Sequence, residues 1–142
     1  MAFNESLQSA IEAVQSTISA ITGVAAAPAA PTDAPSGQWP ISIAFPRLGE
    51  FSGGGNAQTV GYHTIVVQLH YARADLARAY ATIVPYLESI IEALHADVTL
   101  GATVTTISDT IGYEFGAMEW AGLDTIGWQF EIPIKIRYTA ST

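Results

Sequence analysis

Cysteine is absent from the 142 residues, Lys and Arg together number only 5, and charged residues of both signs make up 13% of the chain. Without thiols there is no disulfide scaffold, no thiolate nucleophile and no Cys-ligated zinc or iron–sulfur site, a composition that fits assembly in a reducing compartment. Thirteen carboxylates set against those few cations give a formal net charge of −8. That sign repels a phosphate backbone within the Debye length and argues against a groove-reading nucleic-acid binder. Long apolar runs are missing as well. The least polar stretch, residues 24–30, is mostly Ala with Pro28 inside it, far from the ~20 apolar residues of a bilayer span. Ala25, Ala26 and Ala27 look like a signal-peptidase site, but Glu5 and Glu12 precede them with no Lys, Arg or apolar core, so the segment does not read as a cleaved signal. What is present is apolar material, 49% of the residues, enough for one domain that buries ~68–70% of its unfolded surface and too little for two.

Periodicity supplies the elements. Phe3, Leu7, Ile11, Val14, Ile18 and Ile21 recur at helical spacing with polar residues between them, Asn4 is an expected N-cap, and Gly23 is an expected stop. The repeat is too short for a free coiled coil, so this helix must pack on its own domain or on a neighbouring subunit. Residues 24–40 carry Pro28, Pro31, Pro35 and Pro40 and read as a linker or extended arm, or as a surface loop returning to the same core. Residues 39–45 alternate around Ile41, Ile43 and Phe45 as a first strand, residues 46–59 read as a long Gly-rich tip, and residues 60–71 as a second strand, making a hairpin. Asp75 is expected to cap a helix through Leu94 that Pro85 kinks or splits. Residues 103–115 read as a third strand and residues 116–124 as a turn or short strand.

The clearest pattern lies at residues 125–138, where Ile126, Trp128, Phe130, Ile132, Ile134, Ile136 and Tyr138 alternate with mostly polar positions. Such a strand is buried on one face and wet on the other, and Pro133 within it predicts an edge position or a bulge. The order predicts an α+β domain over residues 41–142. Its antiparallel or mixed sheet has about four strands with helices packed on one face, preceded by the N-terminal amphipathic helix (1–23) and the Ala/Pro-rich arm (24–40).

Chemistry does not announce itself. Gly53, Gly54 and Gly55 lead into a strand rather than a helix N-terminus, so they read as a hairpin tip and not a phosphate cradle. His63 and His70 fall on opposite faces of one strand and His95 ends a helix, which gives no metal-ligand spacing. Glu88 and Glu92 are i,i+4 neighbours and read as a solvated helix face, while Glu114 and Glu119 near Trp120 leave a sugar-processing acid pair open. Nothing in the sequence matches a nucleophile elbow. No catalytic residue, cofactor or metal is therefore assigned. Lys135 and Arg137 share the polar face of the last strand, and Arg73 and Arg78 flank a helix start.

The segments ISIAFPRLGEFSGGG (41–55), HTIVVQLHYARADLARAY (63–80), IVPYLESIIEAL (83–94), LGATVTTISD (100–109) and GWQFEIPIKIRY (127–138) together resemble the tail-terminator or tail-completion proteins of long-tailed bacteriophages. The resemblance is one of pattern and order and spans residues 41–138. It implies a structural virion protein, not an enzyme, assembled in the host cytoplasm and placed at the head–tail interface. A homo-oligomeric ring, hexameric in that family, would cap the head-proximal end of the tail tube, end its polymerisation and join it to the head. The implied partners are the major tail tube protein and the head–tail connector or stopper, with no membrane, while genomic DNA passes through the lumen without specific binding along an acidic wall. On this reading Arg47, Glu50, Phe51, Gly53, Gly54, Gly55 and Asn56 of the tip are candidates for contact with tube or connector. Lys135 and Arg137 are expected to face Glu88 or Glu92 of a neighbour. Another neck or tail-tube protein and a small-molecule-binding α+β domain are the alternatives, the latter marked by an apolar pocket between helix and sheet.

Overall fold

The computed structural model describes residues 5–31, 38–53, 58–74 and 76–139. Phe3, the expected cap Asn4, the expected cap Asp75, and Gly54, Gly55 and Asn56 of the tip lie outside the described residues. Helix α1 runs Leu7–Ser19 and is capped by Ser6, whose hydroxyl accepts the Ser9 N–H at 3.1 Å, later than the Asn4 expected from sequence. A short polar side chain with free backbone around it can close the first turn wherever the apolar stripe begins, and Ser6 stands immediately before Leu7. Ala10, Val14 and Ile18 are fully buried along one stripe of this helix. The chain then turns back on itself, with the Ala25 N–H donating to the Pro40 carbonyl and the Ser42 N–H to the Ala26 carbonyl, both at 2.9 Å. Residues of the Ala/Pro segment thus lie along the sheet of their own chain.

Strands β1 (Ile41–Gly53) and β2 (Gln58–Ala72) are followed by α2 (Leu76–Ile83), α3 (Tyr86–Ala96), β3 (Thr106–Ile107), β4 (Gly112–Trp120) and β5 (Leu123–Thr139). All pairings among the five strands are antiparallel, in the order β1-β2-β5, with β3 and β4 sharing the far side of β5. The sheet is open, and the fold is α+β. Its core joins Ala10, Val14 and Ile18 of α1 and Ile83, Ile90 and Leu94 of α2 and α3 to Ile65, Val67 and Leu69 of β2 and the even positions 128–138 of β5.

Several boundaries differ from the sequence reading for identifiable reasons. Residues 46–53 are strand, not loop: the ladder continues from Leu48 opposite Thr64 to Gly53 opposite Thr59. A bulge between Pro46 and Leu48 absorbs the proline and one extra residue, and it also switches faces. Ser42, Ala44 and Pro46 oppose the core-facing Leu69, Val67 and Ile65, whereas Leu48 opposes Thr64 on the other face. Pro85 splits the helical region into two helices, and the Trp128 indole N–H donates to the carbonyl of Ile83 that the break leaves free, at 3.0 Å. The expected third strand over 103–115 divides: Thr106–Ile107 form β3, residues 108–111 leave the ladder, and residues 112–115 belong to β4, while the turn before β3 takes left-handed backbone at Leu100, Gly101 and Ala102. Pro133 is neither at an edge nor in a bulge. It sits in central β5 opposite Thr64, at the gap between the partners of β3 and β4, where its carbonyl accepts the Ser108 N–H at 2.8 Å and no ladder donor is required.

Candidate interaction surfaces

The sheet has two faces of different character. On the helix side the β1–β2 hairpin ends in an aromatic group: His63 Nε2 lies 2.8 Å from the Tyr138 hydroxyl, and the Phe51 ring meets His63 edge-on and Tyr138 at a tilt, 5.3 Å from each. Gly61 makes the room, since a Cβ there would sit 2.5 Å from His63 Nε2 and 2.7 Å from the Tyr138 ring. Burial pushes the His63 pKa down, and burial followed by the Glu5 charge pushes that of Tyr138 up. Glu5 accepts both the backbone N–H and the hydroxyl of Thr139 at 2.9 Å, tying the start of α1 to the end of β5, and that N–H holds its carboxylate below the usual range. Phe51 nevertheless remains 60% exposed.

The opposite face divides in two. Around His70 it is closed: Ile41, Ile43 and Val66 are buried there, and the Trp120 ring lies over His70 at 5.9 Å while meeting Trp39 edge-on at 6.4 Å. His70 Nδ1 is 2.6 Å from the Thr125 hydroxyl and Nε2 is 3.0 Å from Gln68 Oε1, while the Gln68 amide donates to Gln129 at 2.8 Å. The consistent assignment is a neutral ring that accepts from Thr125 and donates to Gln68. Burial lowers the His70 pKa to about 4. Beyond Glu131 nothing of the described chain covers this face. Leu48 is 63% and Tyr62 45% exposed, and with Thr64, Pro133 and Lys135 they line an open depression of about 480 Å³.

A second concavity of about 630 Å³ lies between α3 and residues 109–113. Half-buried Leu87, Ile91 and Ile111 and exposed Tyr113 form its apolar floor, and the exposed side chains of Glu88, Glu92, His95 and Asp109 stand on its rim. Tyr113 is held from below by Trp128, ring to ring at 5.5 Å.

The sequence-selected residues fall at separate places. Arg47, at the bulge, forms an ion pair with Glu131 of its own sheet. Glu50, Phe51 and Gly53 are exposed ladder residues of β1 rather than parts of a flexible tip, with Glu50 on the uncovered face and Phe51 on the helix face. Glu88 and Glu92 line the α3 groove. Lys135 and Arg137 sit at odd positions of β5, opposite Tyr62 and Val60, on the uncovered face. Glu114 stands in mid-β4 opposite Gln129, and Glu119 lies at the turn opposite Asp124. Among the described residues no group of three His, Asp or Glu side chains could hold a metal ion, and no helix is long and apolar enough to cross a membrane.

Of the buried polar residues, sequence reasoning missed Gln15, Ser42 and Thr125 and weighed His70 only as a metal ligand. Gln15 shows as a polar residue beside the apolar Val14 and Ile18, whereas His70 and Thr125 stand on the mostly polar parities of β2 and β5, where burial leaves no mark in the sequence. Comparison with known proteins adds no relative: no protein-family model and no curated protein matches the chain.

Proposed function

We propose that this chain is a structural subunit of a long-tailed bacteriophage virion, acting through its surfaces rather than through an active site. In this reading copies close into a hexameric ring on the head-proximal end of the tail tube, end its growth, and offer a docking face to the head connector or stopper. The carrying observation is the half of the sheet beyond Glu131, where one face still carries the core while the other is uncovered and Leu48, Phe51 and Tyr62 are exposed. Long ordered strands with uncovered aromatic and aliphatic side chains are stable partners for another protein and a liability for a free monomer. The displaced pKa values have structural causes: His63, His70 and Tyr138 are shifted by burial and Glu5 by its bond to Thr139.

Electron microscopy of the purified protein at high concentration tests the reading. Closed hexameric rings with an open channel support it, as does capping of preformed tail tubes by added protein. Long open tubes replace it with a tube protein, and a monomer that neither closes nor caps tubes overturns it.

A further inference from the structure

The geometry points to a head-to-tail contact between copies of this chain, in which the acidic groove beside α3 of one copy receives the uncovered sheet face around Lys135 and Arg137 of the next. The inference deepens the ring reading and rests on it in one respect, that copies touch one another. Three observations carry it.

The first is chemical match. The groove has an apolar floor, Leu87, Ile91, Ile111 and Tyr113, under a rim of three carboxylates, Glu88, Glu92 and Asp109. Lys135 and Arg137 carry no ion pair among the described residues, and the exposed apolar Leu48 and Tyr62 lie on the same face. Glu50 stands across Tyr62 from Lys135, so the cationic end of the patch is the Arg137 end. In a chain of net charge −8, copies repel one another in most orientations, and a contact that places cations against carboxylates is selected by exclusion of the rest.

The second is spacing. Glu88 and Glu92 are four residues apart on a helix, about 6 Å along its axis, and Lys135 and Arg137 are two apart on a strand, about 6.8 Å. Two ion pairs therefore form in register when β5 of one copy runs along α3 of the next.

The third is topology. The even positions of β5 share the core with Ile90 and Leu94 of α3, so the odd positions face away from α3. One chain cannot bring the two patches together. A contact between two different patches is heterologous and propagates, closing into a ring or running on as a tube.

Charge reversal tests this. The Glu88→Lys/Glu92→Lys variant and the Lys135→Glu/Arg137→Glu variant alter only surface positions, and circular dichroism matching the wild type checks that each folds. Analytical ultracentrifugation of each alone is expected to show self-association weakened by about tenfold or more, and more strongly at low salt. Mixed in equal amounts, the two variants complement each other at both interfaces and assembly returns with alternating copies; one chain carrying all four changes recovers as well. Wild-type assembly that both variants share unchanged overturns this contact and leaves the ring reading standing. Open tubes abolished by either variant and restored in the mixture uphold the contact and remove the ring reading. If the wild-type chain stays monomeric at high concentration, the same variants are read by capping of preformed tubes: capping unimpaired in both overturns the contact and leaves the ring, loss in each with return in the mixture upholds both, and no capping by the wild type overturns both.

Discussion

Replacing Gln15 by Leu separates two accounts of what holds α1 to the sheet. Gln15 is 1% exposed, and its amide donates to the carbonyls of Pro28 and Ser42 at 2.8 Å each while its Oε1 accepts the Ser42 hydroxyl, also at 2.8 Å. Three elements meet at one side chain: the helix, the returning Ala/Pro segment and the outer edge of β1. Leu has nearly the same volume, so if packing alone matters the variant keeps its stability. If the hydrogen bonds matter, two carbonyls and one hydroxyl lose their partner in a site that an isosteric Leu keeps dry. At about 1 kcal/mol for each stranded group, the low end of the range, the loss is about 3 kcal/mol. That is a large share of the ~5–15 kcal/mol that a domain of this kind has in total.

Urea denaturation followed by tryptophan fluorescence measures the difference, and Ser42→Ala completes the cycle. Alone, Ser42→Ala leaves Gln15 Oε1 unpaired and costs about 1 kcal/mol. In the Gln15→Leu background it removes a stranded hydroxyl and is neutral or stabilising, so the two changes are non-additive by about 1–2 kcal/mol. A Gln15→Leu protein within about 1 kcal/mol of wild type, or strict additivity in the cycle, refutes the reasoning.

Other positions give independent checks. His70 has its pKa lowered from 6.5 to about 4; the unfolded chain therefore takes up the proton first as pH falls, and His70 contributes stability that is complete above pH 6.5 and lost towards pH 4, about 3 kcal/mol in all. An NMR titration in which the His70 ring protonates near 6.5 contradicts this. Gly127→Ala places a Cβ 1.8 Å from the Leu69 carbonyl oxygen between the two central strands and is expected to cost more than about 3 kcal/mol, whereas Gly116→Ala in β4 meets nothing within 4 Å and is expected to be neutral or stabilising by up to about 1 kcal/mol. Equal thermal midpoints for the two variants rule out that contrast. Trp128→Phe keeps an aromatic ring but strands the Ile83 carbonyl at the end of α2, with an expected loss of about 1–2 kcal/mol in the same denaturation assay.

The parts of the fold legible in the sequence are those where one residue property repeats without interruption. The seven apolar even positions from Ile126 to Tyr138 all face inward and are buried, because a central strand under helices leaves that parity no alternative. Pro85 divides two helices because its ring and missing N–H act locally, whatever surrounds them. Interrupted patterns misled. Ile41, Ile43 and Phe45 announce a strand, but Ile41 and Ile43 bury on the His70 side rather than against the helices, Phe45 is only half-buried, and the bulge after Pro46 reverses the alternation. The stretch from Arg47 to Ser52 reads as a loop because its two apolar residues, Leu48 and Phe51, stand three apart and break the period of two, with Gly49, Glu50 and the triple glycine around them. It is held as strand by its ladder to β2, a long-range pairing that local composition does not encode. The groove at α3 was half visible, since Glu88 and Glu92 were marked by charge, but its floor depends on Ile111 and Tyr113 arriving from a distant segment.

The division of the outer face at Glu131 follows from where covering material is available. From Thr125 to Gln129 that face is roofed by Trp39 and Trp120, and its polar groups are paired with one another: Thr125 with His70, His70 with Gln68, Gln68 with Gln129. A polar layer satisfied in this way needs no second set of helices. Arg47 and Glu131 close the roofed region with an ion pair, and past them β2 and β5 continue for several residues carrying Tyr62, Lys135 and Arg137 into solvent. On the other face the same length of β5 still carries core residues, Ile134, Ile136 and Tyr138, and only the β1 edge runs past them, ending in the exposed Phe51. The extension is ordered by its own ladder and by the Phe51, His63 and Tyr138 rings, so it presents a preformed surface and loses little conformational freedom on binding. A partner that covered both sides of this extension would bury apolar and cationic groups together, which a solvent-facing role leaves without a physical reason.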